Sequence, residues 1–127
     1  MTRDPLNRNL VRLESRRFLA KCEAQIALIR TVEHVRDVVR LATLSLPYLL
    51  GDDSSAREAQ RGMLVVADER ARELISRHVD HYSRAEPMVR VKYKRQVMDC
   101  LTELTGPLAH LRSWAQTKLT NAEMLLQ

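Results

Sequence analysis

Glycine and proline are scarce, with three and four in 127 residues. A many-stranded sandwich or barrel needs such residues at its tight turns, so that class is excluded, and collagen-like or low-complexity readings fall with it. Aromatic residues make up 4% of the chain. The core therefore has to be built of Leu, Val, Ile, Ala and Met, a composition suited to packed helices. Cysteine is limited to Cys22 and Cys100. They lie far apart, each inside an apolar-periodic stretch, which argues against a disulfide framework or a zinc site and for a reducing cytosol. Long hydrophobic runs are missing as well. The longest stretch without a charge, Leu41 to Gly51, covers about half a bilayer span and contains Pro47. The charged opening, with Arg3, Asp4 and Arg8 and further charges up to Lys21, offers no apolar segment for secretion. A cytoplasmic protein without a membrane segment is the expectation.

What the chain does have is charge: 29% of its residues are Asp, Glu, Lys or Arg, with a formal net charge of +5. The surplus is uneven. Residues 1–21 and residues 77–95 each carry +4, which leaves the remainder acidic by three. Arginine supplies 17 of the 21 basic groups. Its planar fork pairs with phosphate or carboxylate through two hydrogen bonds and stacks on bases, although a GC-rich coding sequence would raise arginine without any such contact.

Apolar periodicity organises the rest. Asp4 before Pro5 reads as a cap and first-turn pair. From there Val11, Phe18, Cys22, Ile26, Ile29, Val32, Val35, Val39, Ala42 and Leu46 recur at helical steps. This predicts helix to about Ser45, ended by Pro47. Unbroken it would run roughly 60 Å, long for a domain of this size, so a break or bend belongs near Arg30 and Thr31. Gly51-Asp52-Asp53-Ser54-Ser55 reads as a loop, and Ser55 with Glu58 as a capping box opening a second helix that ends near Ser83. Glu86-Pro87 separates it from Met88 to Thr105. There the alternation of Val89, Val91 and Tyr93 with basic residues imitates a strand, but no partner strand is evident and helix is the reading. Gly106-Pro107 then starts or kinks a last helix carrying Leu108, Leu111, Ala115, Leu119, Ala122 and Leu126. The expected fold is all-α, a single domain over residues 1–127. It forms an antiparallel bundle of four or five helices, the first long and with room for a bend.

Catalytic chemistry finds no foothold. The chain has no Gly-x-Ser-x-Gly turn, no glycine-rich phosphate loop and no convincing cysteine and histidine couple. Asp52 and Asp53 belong to a turn. His78 and His81 stand three apart on a helix, but no Glu-x-x-His occurs to complete a bundle-type metal site. His78 then reads as a histidine at the core edge and His81 as a solvated one. No enzyme activity, metal or cofactor is expected.

The basic groups carry the functional signal. Arg8, Arg12 and Arg16 form a ridge at four-residue steps, with Arg17 and Lys21 beside it. Arg84, Arg90, Lys92, Lys94 and Arg95 form a second cluster with Tyr82 and Tyr93 interleaved, and a tyrosine such as Tyr93 offers a face for an unpaired base. If the two meet in space they make a continuous track for an RNA or single-stranded DNA backbone, contacted without sequence readout by a small subunit of a larger nucleoprotein assembly. The competing reading is an adaptor or inhibitor that docks on other protein subunits, or a homo-oligomer. In that case the same arginines meet acidic surfaces, and one of the adjacent Leu125 and Leu126 is left exposed for docking.

Overall fold

The computed structural model describes residues 5–49 and 54–126; of residues 5–9, 11, 46–49 and 55 it describes the backbone alone. Five α-helices lie among the described residues: α1 (Pro5–Leu28), α2 (Val32–Leu49), α3 (Ser54–Arg84), α4 (Pro87–Glu103) and α5 (Leu111–Leu125), with a 3₁₀ turn at Gly106–Leu108 before the last. The all-α bundle is thereby shown, and the strand-like alternation around Val91 is helical.

The long first segment breaks where length argued that it should. Thr31 ends the gap by accepting the His34 amide on its hydroxyl at 3.2 Å, which caps the start of α2. Pro47 does not end α2, contrary to its reading as a stop: the backbone stays helical to Leu49. A proline so near a C-terminus removes one backbone hydrogen bond within the last turn and leaves the turns before it intact. The capping pairs expected at Asp4 and at Ser55, and the turn aspartates Asp52 and Asp53, lie outside the described residues or side chains.

Three helix ends are closed by one device. The first carbonyl beyond α1, that of Ile29, accepts from Arg70 Nε at 2.7 Å. That of Ala85, beyond α3, accepts from Arg90 Nε at 3.1 Å, and that of Leu104, beyond α4, from Arg112 Nε at 2.7 Å. A cation there satisfies a carbonyl without an intrahelical partner and complements the negative end of the helix dipole. Arg70→Ala is expected to lower the unfolding free energy by about 1–2 kcal/mol, read as a drop in urea midpoint. An unchanged midpoint would show that water replaces the cap.

α3, about 46 Å long at 1.5 Å per residue, is the spine. The Glu23 carboxylate lies 3.7 Å from where a Cβ on Gly62 would stand, and Ile29 meets Arg70, so α1 runs parallel to α3 along its first half. α4 runs antiparallel along the second half, with Tyr93 against His81 and Gln96 against His78. α5 returns parallel, its Trp114 ring under the Arg72 guanidinium at 4.9 Å. Successive helices are antiparallel, and alternate ones parallel. Each half of α3 is therefore covered by a different pair: α1 and α2 over Ala56, Met63 and Ala67, and α4 and α5 over Leu74, Ile75 and Val79. The halves join at the level of Asp68 to Arg72, where His110 contacts Asp68 and Arg36 of α2 contacts Glu103 of α4.

Candidate functional site

The parallel course of α1 and α3 decides where the two basic clusters lie. Residues 12–21 run beside the first turns of α3, whereas Arg84 to Arg95 sit at its far end. Even Lys21 and Arg95, the nearest members by level, are about 25 Å apart along the α3 axis. The structure does not bring them into one track.

Within each cluster several cations already have work inside the molecule. Lys94 pairs with Glu123 of α5 at 2.9 Å, which raises its pKa, and Arg90 closes the end of α3. Tyr82 is buried in the core and offers no stacking face, and the Tyr93 ring is half-buried against the His81 ring, with centroids 5.4 Å apart. Arg12 is engaged as well, and the Arg8 side chain is outside the description. Arg16, Arg17 and Lys21 at one end and Arg84, Lys92 and Arg95 at the other stay exposed.

Around the last three of these lies a surface that charge counting on the sequence missed. α4 turns Val97 and Cys100 inward, as does Leu104 just beyond its end. Directly opposite, Met88, Val91, Arg95 and Met98 follow one another at steps of three, four and three, forming a single outward line. Met88 is 93% exposed, Val91 69% and Met98 43%. Isolated apolar residues on a surface need no explanation, but a line of them on one helix does. The spacing was legible; that this face would be the outer one was not, because Val89, Val91 and Tyr93 drew attention to a period of two. Leu125 is also exposed, at 87%, while Leu126 packs against the core, so the expected division of that pair is met.

Other places offer less. A groove of about 300 Å³ between α2 and the 3₁₀ turn is lined by Val39, Leu44, Pro107 and Leu108, with Arg36 and Arg40 at its edge. Arg36 is already held by Glu33, Asp37 and Glu103, which leaves little to orient a ligand. No three His, Cys, Asp or Glu side chains come together among the described residues, and none of the described helices is long and apolar enough to cross a membrane. Asp68 is held below the usual carboxylate range: burial opposes this, but hydrogen bonds from His110 and Arg72 outweigh it.

His78 sits at the core edge, as its place on the stripe implied. Its Nδ1 is buried without a partner. Burial lowers its pKa, a hydrogen bond with the Gln96 side chain pulls the other way, and the neighbouring His81 adds to the lowering. The unfolded chain therefore takes up this proton at a higher pH than the folded one. Stability should fall as pH drops from about 7 through 6.5, the ordinary imidazole value, and level off only below the depressed folded value. Urea midpoints at several pH values for the wild type and for His78→Gln check this; parallel curves would assign the acid sensitivity elsewhere.

No family model, curated protein or solved structure matches this chain.

Proposed function

We propose that this chain is a non-enzymatic helical docking module that binds another protein through the outer face of α4. The observation that carries this reading is the exposed line of Met88, Val91 and Met98, set among Lys92 and Arg95. Each such side chain contributes about 1.5–3 kcal/mol when a partner buries it fully. A sugar-phosphate backbone gives these side chains little to bury against. With three exposed cations at this end of the bundle that no acid among the described residues holds, Arg84, Lys92 and Arg95, a single strand would release only about two counterions, too few for tight binding at physiological salt. The weight thus moves from the polyanion to a protein partner.

The remaining exposed cations keep a second reading: contact with a nucleic-acid backbone by Arg84, Lys92 and Arg95, or at the other end by Arg16, Arg17 and Lys21. One experiment separates the two. The tagged full chain and a Met88→Ser, Val91→Ser variant are used to recover partners from the source cell, with and without nuclease. A protein retained through nuclease treatment by the wild type and lost by the variant supports docking. Release of all partners by nuclease, with the variant behaving as wild type, would sink it in favour of the second reading.

A further inference from the structure

Resting on the docking reading, we infer that the partner presents an acidic amphipathic helix that lies along α4. The outward line from Met88 to Met98 spans about 15 Å, close to three helical turns. Its steps of three and four are those at which a second helix seats its own apolar side chains. The charge around that line names the partner's chemistry. Lys92 flanks it, Arg84 lies beyond its N-terminal end, and Arg95 stands in its middle; all three are exposed, and none forms an ion pair among the described residues. Asp99, one turn past Arg95, and Glu86, just before α4, are exposed acids that offset part of this charge, and three cations against two acids leave this surface net positive. A helix that covered Met88, Val91 and Met98 with apolar residues alone would bury the Arg95 guanidinium without a partner, a costly outcome. Carboxylates beside its apolar stripe give Arg95 a two-pronged acceptor and Lys92 a charge partner.

The same central cation weighs against other occupants. In a lipid surface Arg95 would lie in the middle of the inserted face, where basic amphipathic helices carry apolar side chains and keep their cations to the flanks. In a second copy, a two-fold axis parallel to α4 sets Arg95 against its own counterpart, and one perpendicular to α4 at the middle of the line sets it against Val91 with the other Arg95 only about 6 Å further along. An acidic helix alone meets both the apolar side chains and the cation between them.

The test uses the full chain and a synthetic capped helical peptide of about 18 residues, with Leu at steps of three and four and Glu on both flanks. A second peptide has every Glu replaced by Lys. The acidic peptide is expected to bind at least about tenfold tighter than the basic one, with Arg95→Glu reversing the order and Met88→Ser weakening both. Equal binding of the two peptides would overturn the acidic assignment while leaving protein docking in place. No binding of either at about 1 mM would overturn the inference, and the nuclease experiment above would still decide the docking reading on its own. Binding to vesicles of mixed zwitterionic and anionic lipid with none to the peptides would replace the helix by a membrane. A dimer in sedimentation that Met88→Ser dissolves would replace it by a second copy.

Discussion

Ile75→Ala is expected to lower the unfolding free energy by about 2–5 kcal/mol, a large part of the roughly 5–15 kcal/mol available to a domain of this kind. Ile75 is fully buried on the stretch of α3 that α4 and α5 close over. Its removal leaves a cavity that only a shift of long, rigid helices could fill. Because α3 serves both halves, the loss should not stay in one. Trp114, the only tryptophan, reports on the α4 and α5 half through its contact with Arg72, and helical circular dichroism reports on all five helices. Both signals should move to the same lower urea midpoint with an unchanged slope. A tryptophan transition that shifts while most of the helical signal stays behind would show that the halves unfold independently.

The contact that ties α2 to α4 carries the second large effect. Arg36 reaches across to Glu103, and the two side chains are only 21% and 26% exposed. Arg36 also meets Asp37 at 2.7 Å, and this hydrogen bond holds the Asp37 carboxyl below its ordinary range. Removing one partner of a sheltered pair leaves the other desolvated and unmatched, so Arg36→Leu should cost about 1–3 kcal/mol. A double-mutant cycle with Glu103→Gln should give a coupling above about 0.5 kcal/mol. A coupling indistinguishable from zero would mean that apolar packing alone joins the halves at this point.

Helix type and order were legible from apolar spacing and from the few prolines and glycines. Val32, Val35, Val39 and Ala42 on α2, and Leu111, Ala115, Leu119 and Ala122 on α5, are buried as their pattern says. On α1 the innermost place went to Leu19 and Ser15 rather than to Phe18, which is half-buried. A bulky ring beside a close parallel neighbour is pushed to the edge, and that neighbour is a tertiary fact. Ala67 is wholly buried and went unnoticed, since a small residue at a helix crossing adds little to an apolar stripe. The break at Thr31 was suggested by length, and its capping signal was there to be read. The arginines were the hardest to interpret. Their abundance was plain, yet Arg70, Arg90 and Arg112 close helix ends and Arg36 and Arg72 hold carboxylates. Which guanidinium serves the fold and which is left for a partner depends on carbonyls and acids brought near by packing. That α1 and α3 run parallel, keeping the two basic clusters apart, follows from connection geometry that no local pattern encodes.

The cysteines have a use that their burial makes available. Cys22 of α1 and Cys100 of α4 lie one in each half, both free, with burial raising the first thiol's pKa and, helped by Asp99, pushing the second up to about 11. Both are expected to resist an alkylating reagent until their surroundings open, which would make each a built-in clock for breathing of its own half. Equal labelling rates, corrected for thiolate content, would mark a molecule that opens as a whole, and unequal ones would reveal which end loosens first.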